Sequence, residues 1–165
     1  MTEEVRAITL WVNGEEVRET VDVRQNLVDF LRERLALTGS HVGCEHGVCG
    51  ACTVRLDGDV VRGCLVLAVQ CDGATVETIE GISDSGALAD LQTAFQKRNA
   101  LQCGYCTPGM LIGAQELLGR GGVPGREAIR EHISGNYCRC TGYQAIVDAI
   151  ESVALARAAA GPRST

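Results

Sequence analysis

Eight of the nine cysteines in this sequence fall into two sets of four, and their sulfurs are the groups best suited to chemistry. Close-spaced cysteines in a reducing compartment indicate metal binding rather than disulfides, because such compartments keep thiols free. We therefore predict two metal–sulfur sites. The predicted ligands are Cys44, Cys49, Cys52 and Cys64 for the first site and Cys103, Cys106, Cys138 and Cys140 for the second.

The first set contains the spacing C-x4-C-x2-C, which is typical of plant-type [2Fe–2S] sites. Cys64, at the end of the hairpin predicted to follow, is available as the fourth ligand. Nearby glycines permit positive φ and let backbone N–H groups turn towards the sulfurs. Zinc is the alternative, but this set lacks the paired C-x2-C knuckles usual at zinc sites. His41 and His46 are interpreted as loop residues, since four cysteines complete the site without them.

The second set combines a C-x2-C pair with a C-x-C pair, and each pair is followed by threonine and a helix-compatible apolar run. Threonine is a good helix N-cap, and Pro108 stands where a first-turn residue needs no N–H. We therefore expect both pairs at helix N-termini, where free N–H groups and the helix dipole favour negative charge. Four thiolates around an anionic metal–sulfur cluster suit that position.

Two other residues that attract notice have plain interpretations. Cys71 lies outside both sets and follows an apolar run, so we interpret it as a buried structural thiol. Trp11 is interpreted as a core or interface aromatic rather than a redox relay.

Composition limits the class of protein. The 165 residues are enough for one medium domain or two small ones. Acidic residues outnumber basic ones, 21 to 15, which argues against a nucleic-acid partner. No apolar run approaches the length of a membrane span, and the acidic start lacks the apolar region of a secretory signal. We expect a soluble, cytoplasmic protein.

The first eighty residues alternate between strand and turn signals. Hairpin turns are predicted at Asn13-Gly14 and Asp57-Gly58, and Asn26 is the predicted N-cap of a helix that reaches residue 35. Residues 39–51 are predicted to form an ordered loop, and the apolar run 65–71 a buried strand or short helix. Two strands followed by a helix across them resemble the start of a β-grasp domain. The predicted strands cover residues 8–12, 16–23, 52–56, 60–64 and 75–79.

After residue 86 the pattern becomes helical, so the chain is predicted to be α+β. Gly, Ser and Asp within residues 81–86 predict a domain boundary, which divides the chain into domains of residues 1–82 and 83–165. A small four-helix domain with pseudo-twofold character would bring the two later cysteine pairs together. A frayed tail is expected at residues 161–165. The four predicted helices begin near residues 87, 107, 126 and 141.

Three segments carry a close resemblance to a known family: residues 43–53 (GCEHGVCGACT), 102–110 (QCGYCTPGM) and 135–143 (GNYCRCTGY). They resemble the small iron–sulfur subunit of the molybdenum hydroxylases, the group of xanthine dehydrogenase, aldehyde oxidoreductase and carbon monoxide dehydrogenase. The resemblance covers roughly residues 6–155. The three motifs together are highly specific, and no predicted ligand position departs from the family pattern.

The resemblance implies a plant-ferredoxin-like β-grasp domain followed by a four-helix domain, each with one [2Fe–2S] cluster. It implies that electrons pass from the molybdopterin of a large subunit to the cluster of the helical domain, then to the cluster of the N-terminal domain, and on to FAD in a medium subunit. Molybdopterin is expected as its cytosine dinucleotide, and the assembly as a heterohexamer, a dimer of heterotrimers. No catalytic residue is expected in this chain. Two family positions that contact the pterin match Gln102 and Cys140.

Alternatives remain open on the sequence alone. A free ferredoxin-like carrier would need only one cluster, which leaves the helical domain unexplained. A zinc-stabilised interaction module would have no redox role. Gln102 would, in the plainer interpretation, only brace its own loop. The substrate of the whole enzyme is expected to be an N-heterocycle, an aldehyde, a purine or carbon monoxide.

Overall fold

The structure, a computed structural model, describes residues 4–161 as a mixed β-sheet unit followed by a group of helices. This is the α+β class that the sequence predicts. Two apolar cores lie in it, one between the sheet and its helix and one among the later helices. The predicted frayed tail falls mostly on residues 162–165, which lie outside the described residues.

The sheet has five strands in the order β2-β1-β5-β3-β4. The neighbours β1 and β5 run parallel, and the other pairs are antiparallel. Both predicted hairpin turns are confirmed, because Asn13-Gly14 and Asp57-Gly58 have the positive φ angles that these residue types tolerate. The strands are β1 Val5–Val12, β2 Glu15–Asp22, β3 Thr53–Leu56, β4 Asp59–Arg62 and β5 Thr75–Glu77.

Helix α1, Leu27–Glu33, packs across the sheet. It begins at the predicted N-cap, since the side chain of Asn26 accepts a hydrogen bond from the Asp29 N–H at 2.9 Å. Its apolar stripe includes the fully buried Phe30, Leu27 and Leu31. These side chains form the first core with β1 and β5, so α1 fixes where the following loop leaves the sheet.

The segment that carries Cys64 differs from the prediction. Strand β4 ends at Arg62, and Cys64 lies in a short 3₁₀ helix, Gly63–Leu65, rather than in a strand. A second 3₁₀ helix, Ala68–Cys71, follows, but the run 65–71 is not buried throughout because Leu65 is 62% exposed. The chain therefore leaves the edge strand β4 just before Cys64, and the 3₁₀ turn places Cys64 near the cysteine loop.

Five helices follow the sheet in the described part of the chain, one more than predicted. The additional helix is α2, which occupies most of residues 81–86, and its Ile79 and Ile82 are buried in the second core. The apolar spacing at these two positions decides the structure against the Gly, Ser and Asp signals. The helices are α2 Ile79–Asp84, α3 Ala89–Lys97, α4 Thr107–Gly119, α5 Arg126–Ile133 and α6 Gln144–Ala159.

Helix α4 is the central element of the second core. Residues 109–114 are buried in succession, which requires neighbours on every side of the helix. Those neighbours are α2, α3 and α5 together with strands β3 and β4 of the sheet. The first turn of α4 is thus held directly against the sheet unit. Within residues 4–161, none of the helices combines the length and apolar character that a membrane crossing requires.

Candidate metal centre

The first cysteine set lies in the loop between α1 and β3, with Cys64 brought in from the turn after β4. The Cys49 N–H donates to Cys44 Sγ at 3.4 Å. Backbone hydrogen bonds from Cys49 and from His46 lower the pKa of Cys44 to about 6. The thiolate is the form that binds metal, so this loop favours the ligand form of Cys44 before any metal is present.

Two glycines of this loop meet a geometric requirement that the sequence predicts. Gly47 and Gly50 both have positive φ. A Cβ on Gly47 would enter the side chain of Leu65, and one on Gly50 would lie 2.6 Å from the Gly135 carbonyl oxygen. Gly43 has ordinary φ but little room, since its Cβ would lie 3.1 Å from Cys49 Sγ. The glycines therefore permit both the turns and the close approach of neighbouring segments.

Cys64 lies beside Cys52 of the first set. The Cys64 thiol interacts with that of buried Cys52, and the Cys44 thiol interacts with that of Cys49. Burial and the contact with Cys52 raise the pKa of Cys64 to about 11. The four thiols thus interact as two neighbouring pairs. A two-iron core binds two protein ligands on each iron, and the paired arrangement suits it.

The second set is also arranged as two pairs. Cys103 Sγ and Cys140 Sγ lie 3.5 Å apart, and the thiols of Cys106 and Cys138 interact with each other. Burial, with the neighbouring thiol of Cys138, raises the pKa of Cys106 to about 12. Within residues 4–161, no group of three or more His, Cys, Asp or Glu side chains surrounds a single metal-ion position.

Thr141 stabilises one sulfur of this set. Its Oγ1 hydroxyl donates to Cys138 Sγ at 3.1 Å. Burial raises the pKa of Cys138, but hydrogen bonds from Thr141, from the Cys140 and Thr141 backbone and from Cys106 outweigh burial and lower it overall. The second set therefore obtains part of its charge stabilisation from a side-chain hydroxyl.

The prediction that both threonines cap helices is wrong. Cys106 itself is the N-cap of α4, and Thr107 is the first helical residue. Helix α6 begins only at Gln144, after Tyr143 has adopted a φ of +68°. The predicted start at residue 141 fails because Gly142 and Tyr143 both have positive φ, which a right-handed helix does not include. The Thr141 hydroxyl donates to Cys138 Sγ and accepts from the Tyr143 N–H at 3.2 Å, before the helix begins. Only the first pair of the second set lies at a helix N-terminus, with Pro108 in its first turn as predicted.

Gln102 and Cys140 lie together at the surface. Both residues are exposed, and Gln102 Nε2 donates to the Cys140 carbonyl oxygen at 3.0 Å. This contact joins the C-x2-C segment to the C-x-C segment. It is the loop-bracing bond of the plainer interpretation, and it places the amide beside the exposed Cys103–Cys140 pair.

A cavity of about 180 Å³ lies between the two cysteine loops. It is lined by all four cysteines of the second set, by Cys49 of the first set, and by Tyr105 and Tyr137. Four thiols that converge on one cavity fit an iron–sulfur cluster, whose ligands are cysteine thiolates. Because Cys49 also lines this cavity, the two sets are neighbours in space.

The sequence did not reveal the direct bonds between the loops. The Tyr137 N–H donates to the Cys49 carbonyl oxygen at 2.8 Å, and the Tyr105 hydroxyl donates to the Val42 carbonyl oxygen at 2.7 Å. His41 stacks on Tyr105 with ring centroids 4.4 Å apart. Its Nδ1 lies 2.7 Å from the Tyr105 carbonyl oxygen. His41 is thus a loop residue, as interpreted, but one that holds the second segment in place.

The remaining notable residues follow their plain interpretations. His46 lies in the first loop, with Nδ1 against the Cys44 carbonyl oxygen. Cys71 is fully buried in the first core, where burial raises its pKa to about 11. All nine cysteines are free thiols. Trp11 is 41% exposed on β1, so it is not a core residue.

Comparison with known families agrees with this geometry. Residues 10–103 match the model of the 2Fe-2S iron-sulfur cluster binding domain. Residues 78–151 match the model of the [2Fe-2S] binding domain. The two matches share residues 78–103, which run from the end of the sheet unit to the first cysteine of the second set.

Named proteins similar to this chain are subunits of larger enzymes. The gamma subunit of caffeine dehydrogenase from Pseudomonas sp. (strain CBB1) is 52% identical over 149 residues, which cover 88% of this chain and 89% of that protein. The nicotine 6-hydroxylase small subunit of Paenarthrobacter nicotinovorans is 53% identical over 143 residues, with 87% and 86% covered. In the crystal structure of quinoline 2-oxidoreductase from Pseudomonas putida 86, one chain superposes with a TM-score of 0.88 at 46% identity, covering 97% of this chain and 99% of that one.

Proposed function

Because this chain belongs to the family of small iron–sulfur subunits of the molybdenum hydroxylases, we propose that it is the electron-transfer subunit of such an enzyme. Its homologues are subunits of oxidoreductases and dehydrogenases. The observation that carries the proposal is the pairing of eight thiols as two sets of four in neighbouring loops. The proposed ligands are Cys44, Cys49, Cys52 and Cys64 for one [2Fe–2S] cluster and Cys103, Cys106, Cys138 and Cys140 for the other.

Each bound cluster would supply a one-electron carrier, and the chain's own residues would set where it lies and how it is solvated. Backbone N–H groups point at Cys44, and a hydroxyl points at Cys138. Such hydrogen bonds stabilise the extra negative charge of a reduced centre. The bond between Tyr137 and Cys49 keeps the two loops in contact.

The proposed partners are a large subunit that binds molybdopterin and a medium subunit that binds FAD. Gln102 and Cys140 would face the molybdopterin, as its cytosine dinucleotide, since both lie at the exposed side of the second set. Exposed Val48 and Leu65 flank the first set and suit contact with the flavin subunit. We propose a dimer of such heterotrimers, in the cytoplasm.

The proposed domain division keeps the boundary at residues 82 and 83. The two separate cores support it, because one belongs to a sheet unit of β-grasp type and the other to the helices. The four longer helices, α3 to α6, would form the four-helix cluster-binding domain. Helix α2 would then act as the connection, packed against the helical core through Ile79 and Ile82.

The proposed substrate class of the whole enzyme is a small N-heterocycle. Similar proteins carry the names caffeine dehydrogenase, nicotine 6-hydroxylase and quinoline 2-oxidoreductase, and all three named compounds are N-heterocycles. The substrate would bind in the large subunit, and this chain would receive the electrons.

The test is purification of the chain with whatever accompanies it, followed by assay of iron, acid-labile sulfide, molybdenum and flavin. We expect two distinct [2Fe–2S] signals in the EPR spectrum of the reduced complex, with molybdenum and FAD in the copurifying subunits. Stoichiometric zinc in place of iron would contradict the proposal. Two clusters in a chain that purifies alone would instead favour the free electron carrier.

A further inference from the structure

We propose that Asn136 is a positioning residue that fixes the separation of the two cysteine loops, and with it the coupling between the two clusters. The inference rests on the proposed function for the presence of both clusters. It concerns a residue that is two positions before Cys138 and is itself no ligand candidate, since its side chain is a neutral amide.

The side chain of Asn136 is 5% exposed and bonds the opposite loop. Its Nδ2 donates to the Gly50 carbonyl oxygen at 3.1 Å, and it lies 3.4 Å from Thr53 Oγ1. Gly50 lies between the ligand candidates Cys49 and Cys52, and Thr53 directly follows them. One buried amide of the second segment therefore holds the backbone of the first loop.

Arg62 completes the network from strand β4. Its Nη2 donates to the Gly135 carbonyl oxygen at 2.7 Å and to Asn136 Oδ1 at 3.4 Å. Its Nη1 donates to Thr53 Oγ1, which in turn donates to the Gly50 carbonyl oxygen at 2.6 Å. The guanidinium thus orients the amide so that its NH₂ group faces Gly50. Buried hydrogen bonds of this kind are costly to lose, because the group left behind stays unsatisfied.

The packing around this network is too tight to accept an added side chain at either of its two glycines. A Cβ on Gly50 would meet the Asn136 amide at 2.6 Å. A Cβ on Gly109, in the first turn of α4, would clash with the Gly50 carbonyl oxygen. The first loop, the second loop and α4 therefore meet at this network. The first loop and α4 contribute glycines, Gly50 and Gly109, and the second loop contributes the hydrogen-bonded side chain of Asn136.

The network lies beside the bond that joins the two ligand sets. The next residue, Tyr137, donates its N–H to the Cys49 carbonyl oxygen at 2.8 Å, and Cys138 follows immediately. Fixing Asn136 on Gly50 fixes this contact too. Transfer between the loops moves one electron from a reduced centre to an oxidised one and makes or breaks no bond, so its rate depends steeply on separation. The magnetic dipolar coupling between two reduced centres also falls with separation.

The test is Asn136→Asp in the purified holoenzyme, compared with Asn13→Asp as a matched control. Asn136→Asp keeps the shape but loses the donor to Gly50. Asn13 also bridges two parts of the chain, because its Nδ2 donates to Thr78 Oγ1 at 3.0 Å and its Oδ1 accepts from the Thr78 N–H at 2.8 Å, but Asn13 lies in the β1–β2 turn. We expect full iron in both variants. The dipolar splitting in the EPR spectrum of the fully reduced enzyme should diminish only in Asn136→Asp, with severalfold slower electron transfer between the clusters.

Arg62→Gln provides a second approach from outside the cysteine loops, and the same loss of splitting is expected there. Unchanged splitting in either variant with full iron content would overturn the inference. If Asn136→Asp loses a cluster, the Arg62→Gln result decides in the same way. Equal loss of splitting in Asn13→Asp would also overturn it, because the effect would then be general loosening. A wild type with a single cluster species would refute the proposed function and this inference together. Two clusters whose dipolar splitting is unchanged by these substitutions would refute this inference alone.

Discussion

The first cysteine set lies in one short loop closed by a nearby turn, whereas the second set joins two segments whose touching sulfurs are 37 residues apart. In the first, backbone N–H groups stabilise a thiolate, and the pKa of Cys44 falls to about 6. In the second set, burial raises the pKa of Cys106 to about 12, and the Thr141 hydroxyl donates a hydrogen bond to Cys138 Sγ. The first site therefore depends on backbone shape, and the second on side chains and on the packing of helices.

The largest expected effect separates the two sites outright. Cys52→Ser should remove the first cluster and leave the second, because serine is a poor replacement for a buried thiolate ligand. Half of the iron should remain, and electrons should still reach the second cluster but not the flavin. Iron analysis, EPR and rapid flavin-reduction kinetics test this. Cys106→Ser is the matched variant and should remove the other signal. Rapid flavin reduction in Cys52→Ser with its remaining cluster intact would contradict the proposed order.

A glycine substitution tests the dependence of the first site on backbone shape. Gly50→Ala places a Cβ at a φ of +74° and against the Asn136 amide, so we expect a loss of about 3 kcal/mol or more from strain and clash together. Gly58→Ala is the control, since its φ is +90° with open space around the Cβ, and we expect about 1 kcal/mol there. Melting temperatures of the two variants compare the costs. Equal destabilisation would show that the loops are not tightly packed at Gly50.

A threonine substitution tests the dependence of the second site on a side chain. Thr141→Val removes the hydroxyl that donates to Cys138 Sγ. If that bond favours the reduced cluster by about 1 kcal/mol, the potential of the second cluster should fall by ~40 mV while the first stays unchanged. Thr93→Val is the control. Thr93 lies on the exposed face of α3, and its hydroxyl donates to the Ala89 carbonyl oxygen of the same helix. An unchanged potential in Thr141→Val would remove the hydroxyl from the list of groups that tune the cluster.

The contrast between the two sites also explains what could be predicted from the sequence. Spacing within one loop is a local property, so the turns and the role of the glycines could be inferred from adjacent residues, and the C-x4-C-x2-C cysteines could be proposed as ligands. The role of Thr141 could not, because a threonine before an apolar run signals an N-cap. The turn that instead brings its hydroxyl to Cys138 Sγ depends on positive φ angles at Gly142 and Tyr143. Likewise, α2 was not predicted because its segment contains glycine and serine. Its helical structure depends on burying Ile79 and Ile82 in the second core, which lies outside the segment itself.

Interactions between distant segments could not be predicted from the sequence either. Arg62 has no local pattern that marks it, and Asn136, although it lies in the 135–143 motif, carries no sign there of a contact with another segment. Their importance arises because Arg62 reaches the Gly135 carbonyl oxygen across 73 residues of sequence. A single sequence carries no signal for such a pair, whereas the ligand pairs were inferred because cysteine is a strong chemical signal by itself.

The smallest expected effect concerns the ninth cysteine, which distinguishes ligands from structural thiols. Cys71 is fully buried in the first core, and its Sγ lies 3.8 Å from the Leu67 carbonyl oxygen. Cys71→Ala should leave the iron content unchanged and cost about 1 kcal/mol, the effect of a small buried cavity. Loss of either cluster in this variant would show that Cys64 is wrongly assigned.

The pH dependence of Cys71 sharpens the same distinction. Burial raises its pKa to about 11 in the folded protein, above the ordinary value of 9.0, so folding favours the protonated thiol. Its contribution to stability is therefore complete below pH 9 and is lost as the pH rises towards 11. Wild type should lose stability over that interval more steeply than Cys71→Ala, as thermal melts at several pH values would show. If both clusters bind as proposed, Cys71 would be the one thiol that is not a ligand. Its alkylation should then be slow at neutral pH and should accelerate up to about pH 11. Fast alkylation of Cys71 at neutral pH, with both clusters intact, would mean that the sheet core opens readily and that this thiol is not the inert packing group described above.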